Sequence, residues 1–218
     1  MPLMLAITTR YHQTVRTVLI LAYVAGIIGL QLPALTDYFR PLSPVTLVCS
    51  LAVLLVYHTD WRPSFYLYLI LTLAIGYFIE VLGVHTGSIF GHYAYGWGLG
   101  VKVWAVPPVI GINWLLLSYC SGSVCNQLSV PTWLKILAAA TLMVVLDLFI
   151  EPVAVQLHFW TWFDKPVPLQ NYVSWWIISA ILFTIWFLLP FSKENRLAKW
   201  LLMLQFIFFI GQFLFIFF

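Results

Sequence analysis

The chain has 218 residues, of which 63% are hydrophobic and only 8% are charged. A water-soluble globular domain does not have this composition, so we expect an integral membrane protein. The net charge is +3, but the basic residues are scattered and no run of them could follow a phosphate backbone. Nucleic acid is therefore excluded as a partner.

Seven apolar segments approach the length of a membrane-spanning helix. A hydrocarbon core about 30 Å thick requires roughly 20 apolar residues in helical conformation. In chain order the predicted helices cover residues 15–32, 43–57, 64–82, 103–119, 132–150, 172–189 and 197–217. No internal repeat or soluble domain is visible, and the first apolar run lacks the cleavage site of a removed signal peptide. The sequence therefore predicts an all-α fold, with residues 1–218 forming a single transmembrane domain, a polytopic bundle of about seven helices.

Prolines separate most of these segments, as Pro33, Pro131 and Pro190 do. The pair Pro107-Pro108 instead falls inside the fourth segment. A proline in a helix interior removes a backbone hydrogen bond and clashes with the preceding turn. We therefore expect the fourth helix to be kinked or to begin late.

The distribution of basic residues over alternate sides of the seven segments predicts an orientation. The N-terminal side carries Arg10, Arg16, Arg62, Lys135, Lys193, Arg196 and Lys199, whereas the opposite side carries Arg40, Lys102 and Lys165. Because cytoplasmic loops are enriched in Lys and Arg, the N-terminus is predicted to be cytoplasmic, in the cell (inner) membrane. The same topology places Glu80, Asp147 and Glu151 toward the non-cytoplasmic face.

Glu80 is the first candidate for function because it lies near the end of the apolar run 64–82. A carboxylate at membrane depth is costly and usually faces a protein interior, where it pairs or takes part in chemistry. The connection that follows, residues 83–102, contains six glycines and the aromatic residues Phe90, Tyr93, Tyr95 and Trp97. These rings could form an interfacial belt or the wall of a pocket. The structural alternative for Glu80 is an ion pair with Lys102 or a hydrogen bond to this loop.

Asp147 and Glu151 are four positions apart, which places both carboxyl groups on one helix face, about 6 Å apart along the axis. Two carboxyl groups this close do not both ionise readily, so one can hold a proton and donate it. The alternative is that Glu151 lies at the water interface and that the helix stops at Pro152. The connection 151–164 is expected to re-enter the membrane or to lie along its interface.

Three histidines, His85, His92 and His158, fall on the same predicted side as these acids. Imidazole together with carboxylate can bind iron or zinc. The chain lacks the HxxxH and HxxHH clusters of membrane di-iron oxygenases, however, so we expect neither a metal nor another cofactor.

Eleven tryptophans are present, with Trp160 and Trp162 on either side of Thr161. Anchoring at the membrane interface explains many of them. Aromatic faces also stabilise cations, by about 2 kcal/mol or more when water is excluded. Acids beside aromatic walls would suit the protonation of an alkene.

Two sequence blocks carry a resemblance to a known family. The first is E-x-x-G-V-x-T-G-x-x-F-G-x-Y-x-Y from Glu80 to Tyr95, followed by Leu99-Gly100 and Val106-Pro107. The second consists of D-L-x-x-E-P from Asp147, W-x-W from Trp160 and P-x-x-N-Y-x-x-W from Pro168. With these blocks the chain resembles the membrane carotenoid-biosynthesis family, which includes the CruF-type carotenoid 1,2-hydratases and the bacterioruberin-pathway hydratase. One departure is Glu151, because aspartate is common before this proline in the family.

The resemblance implies hydration of the terminal C=C of a ψ-end group, in lycopene, γ-carotene or a bacterioruberin precursor, without a cofactor. An acid would protonate the alkene, and a water molecule activated by a second carboxylate would capture the tertiary cation. The carotenoid would come from the lipid bilayer, and other carotenoid-pathway enzymes would be natural partners.

The resemblance and the residue chemistry together suggest roles for individual side chains. Glu80 or Asp147 would donate the proton and the other would position water, while Glu151 would tune Asp147. The predicted substrate-binding residues are Thr86, Phe90, His92, Tyr93, Tyr95, Trp104, Trp160, Trp162 and the polar orienter Asn171.

Three other functions remain open at the level of sequence. A carotenoid end-group cyclase would form the same cation and quench it by ring closure. A transporter more often shows repeated halves, which this chain lacks. A retinal-binding photoreceptor is disfavoured because the seventh segment has no lysine in its middle, Lys199 lying at its end.

Overall fold

The computed structural model describes residues 10–164 and 166–218 and shows a helical bundle with one pair of very short strands. The predictions that involve residues 1–9 and Lys165 lie outside this description. The helices are α1 (His12–Gln31), α2 (Pro33–Phe39), α3 (Ser43–Val56), α4 (Pro63–Thr86), α5 (Val109–Asn126), α6 (Thr132–Gln156), α7 (Leu169–Leu188) and α8 (Ala198–Phe217), with a 3₁₀ turn at Arg40–Leu42. Strands β1 (Tyr93–Tyr95) and β2 (Trp160–Trp162) pair in antiparallel fashion. The predicted all-α membrane bundle is confirmed.

Six helical segments within these two ranges are long and apolar enough to cross a membrane. They are α1, α2 together with α3, α4, α6, α7 and α8. Helix α5 lies at the centre of the bundle and packs against α3, α4, α6, α7 and α8. It is less apolar than any of these five helices. Because other helices surround α5, it can carry three serines and two asparagines, which would be unfavourable on a helix that faces lipid. The N-terminal orientation stays a prediction.

Helix α5 differs at both ends from the predicted segment 103–119. It begins at Val109, directly after Pro107-Pro108, which confirms the expectation of a late start. It continues past residue 119 to Asn126, and small residues in this last part allow the close approach of α7. A Cβ atom on Gly122 would lie 2.9 Å from the ring of Trp186. Small residues at helix contacts are the usual means of tight packing in membranes.

Helix α6 passes through Pro152 and ends only at Gln156. The alternative that Glu151 ends the helix at the water interface is therefore wrong, and Glu151 is only 2% exposed. After the helix, His158 takes a positive φ of 57° and the chain turns into β2. Of the segment 151–164, residues up to Gln156 belong to α6 and residues 160–162 pair with β1. That this segment re-enters the membrane or lies along its interface stays a prediction.

A buried hydrogen-bond network holds the other end of the bundle together. The Nε2 atom of His58 lies 2.8 Å from the carbonyl oxygen of Asp60 and must donate to it, so Nδ1 accepts from the Tyr119 hydroxyl at 2.7 Å. Burial lowers the pKa of His58, which keeps the imidazole neutral for these two roles. Asn195 donates to Tyr119 at 3.1 Å. This network joins the chain before α4 to α5 and to the chain before α8.

We expect that Gly76→Ala destabilises the protein. A Cβ atom at position 76 would lie 2.5 Å from the Cβ of Trp114, and overpacking of this kind costs about 1–3 kcal/mol. The midpoint of thermal unfolding in detergent should fall below that of the wild type. Gly211→Ala is the matched control, because its Cβ would meet Ile27 at an ordinary 3.6 Å. Equal midpoints for the two variants would contradict the packing described for Trp114.

Candidate active site

Helix α4 carries Glu80 into the bundle interior, where it is 4% exposed. The hydroxyls of Tyr93 and Tyr95 donate to its Oε2 at 2.5 and 2.8 Å. The indole Nε1 of Trp114 in α5 donates to its Oε1 at 3.0 Å. Lys102 donates instead to the carbonyl oxygen of Tyr95, at 2.8 Å. Of the two structural alternatives for Glu80, the structure therefore shows the hydrogen bonds to the loop and not the ion pair.

Glu151 is held in a corresponding way. The indole groups of Trp160 and Trp162 donate to its Oε2 at 2.9 and 2.8 Å, and the Asn171 amide donates to its Oε1 at 3.2 Å. The same amide nitrogen lies 3.1 Å from Oδ2 of Asp147, one turn earlier on α6. Asn171 therefore bridges the two acids that the i, i+4 spacing places on one face.

The strand pair explains why two such similar carboxyl sites form side by side. Tyr93 is opposite Trp162, and Tyr95 is opposite Trp160, with ring centroids 4.9 and 5.9 Å apart. Alternate residues of a strand point to the same face, so both tyrosines of β1 reach Glu80 while both tryptophans of β2 reach Glu151. The strand pair thus supplies four of the six donors.

The two phenol groups remain donors over the ordinary pH range. Burial, and then the charge of the Glu80 carboxylate, raises the pKa of Tyr93 and of Tyr95 well above its ordinary value. Neither hydroxyl therefore loses its proton at neutral pH. Both tyrosines are consequently fixed as hydrogen-bond donors to Glu80.

A cavity of about 30 Å³ lies between the two carboxyl groups. Its lining consists of Glu80, Phe90, Tyr93, Tyr95, Ile110, Asn113, Trp114, Ile150, Glu151, Trp160, Trp162, Asn171 and Trp175. This volume can hold one or two water molecules, and the wall offers the polar partners that a buried water needs. Most of the remaining wall is aromatic, including Trp114 and Trp175, which stack with centroids 4.0 Å apart.

A second, larger cavity of about 260 Å³ adjoins the first. The two share the residues Ile110, Asn113, Ile150 and Trp160 in their linings. The larger cavity lies among α1, α2, α3, α5, α6 and α8. Its wall is mostly apolar, with Leu30, Phe39, Leu47, Phe208 and Phe209 among the contributors. An elongated apolar molecule in this cavity could therefore present one end to the acids.

The structure brings most of the sequence-predicted site residues together around the small cavity. Glu80, Phe90, Tyr93, Tyr95, Glu151, Trp160, Trp162 and Asn171 line it. Asp147 does not line either cavity described here; it is fully buried behind Glu151, and its Oδ1 has no hydrogen-bond partner within the described part of the chain.

Three predicted substrate-binding residues lie away from both cavities. Thr86 is exposed and its hydroxyl donates to the carbonyl oxygen of Leu82 at 2.7 Å. His92 is exposed, and Trp104 is 60% exposed with its ring against Phe78. Across residues 10–164 and 166–218, no group of three or more His, Cys, Asp or Glu side chains is placed to hold a metal ion.

Sequence reasoning missed Trp114 and Asn113 as site residues. Both are in α5, and the signal that could have found Asn113 is the presence of an amide within an apolar segment. Trp114 had no comparable signal, because a tryptophan in a membrane helix is common. Its role follows from its packing on Gly76 and its bond to Glu80.

Comparisons with known proteins identify the family of the chain. The sequence profile of the family described as carotenoid biosynthesis protein matches residues 40–218. Bisanhydrobacterioruberin hydratase of Haloarcula japonica is 28% identical over 119 residues, which are 48% of this chain and 39% of that protein. No solved structure matches the chain. Because the family match covers most of the sequence, including every carboxyl group of the site, the chain belongs to the carotenoid biosynthesis protein family.

Proposed function

We propose that this protein is a carotenoid hydratase that adds water to the terminal C=C of a ψ-end group and forms a tertiary alcohol. The observation that carries the proposal is a water-sized cavity with Glu80 and Glu151 in its wall and aromatic rings around them. Membership of a carotenoid biosynthesis family supports the substrate class. The name of the Haloarcula japonica relative supports hydration as the reaction. Lycopene, γ-carotene and a bacterioruberin precursor are the candidate substrates.

The larger cavity would hold the chain of the carotenoid. A polyene hydrocarbon is dissolved in the bilayer, and the apolar wall of this cavity suits it. Its end group would pass Ile110 and Ile150, which line both cavities. The terminal alkene would then lie where the two cavities meet, facing the two carboxyl groups and the water between them.

The proton would come from the pair of carboxyl groups formed by Asp147 and Glu151. Glu151 and Asp147 are one turn apart and share the Asn171 amide, and two buried carboxyl groups this close do not both ionise readily. This pair therefore carries at least one proton. Because Glu151 lines the cavity and Asp147 does not, we assign donation to Glu151 and the supporting role to Asp147. This assignment reverses the roles predicted for these two residues from sequence.

Protonation of the less substituted alkene carbon leaves a tertiary cation beside the aromatic wall. The stacked pair Trp114 and Trp175 and the strand residues Tyr93 and Trp162 would surround it. Electron-rich ring faces stabilise a desolvated cation by about 2 kcal/mol or more. The wall would thus lower the barrier without any covalent intermediate.

Glu80 would act as the base. Its two oxygens accept three hydrogen bonds from Tyr93, Tyr95 and Trp114, an arrangement that suits a carboxylate. As the oxygen of water bonds to the cationic carbon, one of its protons would pass to Glu80. Return of that proton to the Glu151 side through the cavity completes the net addition of one water molecule.

We predict that Glu80→Gln and Glu151→Gln each reduce hydration by a factor on the order of 100 or more, because each removes one partner of the acid–base pair. Pigments would be extracted from a bacterial host that accumulates lycopene or γ-carotene and expresses each variant. Glu194→Gln is the matched control, since Glu194 is exposed. Wild-type turnover in either site variant, at equal amounts of folded protein, would remove that residue from the mechanism.

Asp147→Asn should reduce turnover less than Glu151→Gln does. The substitution leaves a polar side chain against Asn171 but removes the second acid of the pair, so it acts on Glu151 and not on the substrate. We expect a lower kcat with an unchanged KM and an altered pH dependence of kcat. A loss as large as that of Glu151→Gln would place Asp147 in the proton-transfer step itself.

The product identifies the reaction. Expression of the wild type in the same host should yield a carotenoid heavier by one water molecule, with an unchanged visible spectrum because the terminal alkene of a ψ-end group is not conjugated. Chromatography with absorbance detection and mass spectrometry measures both properties. A product isomeric with the substrate would instead indicate a cyclase and would overturn the proposed hydration.

A further inference from the structure

Asn113 occupies the position in α5 where the two cavities meet. It is half-buried, whereas its helix neighbours Ile110 and Trp114 are 4% and 0% exposed. Because α5 is enclosed by other helices, the remaining exposure of Asn113 is directed to the cavities. Its amide makes no hydrogen bond to any residue that the structure describes. An amide without a partner is unfavourable in an apolar interior, so this side chain is suited to a polar ligand.

We propose that Asn113 binds the water molecule that captures the cation, and that it thereby determines whether the product is an alcohol or an isomeric alkene. This inference rests on the proposed hydratase function. It makes Asn113 a positioning residue, which acts through the water and does not itself exchange a proton with the substrate.

The cation has two competing fates, and they differ by one water molecule. In the first, a lone pair of the water oxygen forms the new C–O bond and the water proton passes to Glu80. In the second, a C–H bond beside the cationic carbon breaks, its electrons form a new C=C, and the proton passes to the same carboxylate. For a cyclised product, the electrons of another C=C in the substrate first form a C–C bond to the cation, and the C–H bond then breaks beside the new cationic carbon. The second route consumes no water and leaves the mass unchanged. The position of the water therefore decides the outcome.

A buried water needs two to four polar partners. The hydroxyls and indole groups of the strand residues are already directed to Glu80 and Glu151. Asn113 adds an amide, with both a donor and an acceptor, on the side of the cavity from which the end group would enter. A water held between this amide and a carboxylate would lie at the boundary that the cation faces.

The test compares the product ratio of Asn113→Leu with that of the wild type in lycopene-accumulating cells. Leucine has a similar shape but cannot bind water. We expect the ratio of hydrated to isomeric product to fall by about tenfold or more, as for the loss of one hydrogen bond to a buried group. Asn126→Leu is the matched control, because it makes the same substitution at the other end of α5. It should keep the wild-type ratio.

A second pair of variants keeps the inference testable if Asn113→Leu does not fold. Asn113→Ser and Asn113→Ala both reduce side-chain volume and differ only by a hydroxyl group. The serine variant should give the higher ratio of hydrated to isomeric product. Equal ratios of hydrated to isomeric product in the serine and alanine variants would overturn the role of Asn113. So would an Asn113→Leu variant that converts less substrate in total but keeps the wild-type product ratio. Either result would leave the hydratase function intact. A wild-type protein that forms no hydrated product would overturn the function itself, and this inference with it.

Discussion

The burial of carboxyl groups inside the helical bundle is the constraint on which the rest of this structure depends. A carboxyl group removed from water must receive hydrogen bonds from the protein. Glu80 and Glu151 each receive three, from two strand residues and one helix residue. The strand pair β1–β2 is small, yet it brings four donors to the two acids, and without it neither carboxyl group would be satisfied.

This constraint extends into the packing of the helices. Trp114 takes part both in helix packing and in the site, because its ring fills the space left by Gly76 while its indole nitrogen donates to Glu80. Helix α5 can carry this residue and Asn113 since it is enclosed by five other helices. The central helix is thus less apolar than its neighbours, and its polar side chains form part of the site. The contacts of Trp114 therefore both stabilise this end of the bundle and hold the Glu80 carboxyl group of the candidate site.

The two adjoining cavities separate two requirements of the proposed reaction. The larger one is apolar and suits a lipid-soluble chain, whereas the smaller one has room for water among acids and aromatic rings. A cation formed between them would meet aromatic faces on one side and a water molecule on the other. Addition of water and ring closure start from the same cation, so the polar groups at the junction of the cavities would be expected to select between them.

The sequence by itself determined the membrane bundle, most helix positions and the late start of α5, because hydropathy and proline act locally along the chain. It also identified Glu80 and the shared helix face of Asp147 and Glu151, since a charge in an apolar run and an i, i+4 spacing are local signals. Only the tertiary structure decided that Tyr93 and Tyr95 pair with the tryptophans of β2, that Asp147 lies behind Glu151, and that Thr86, His92 and Trp104 lie outside the cavities. These relations join segments tens of residues apart, and they arise from helix packing and strand register, which no local pattern encodes.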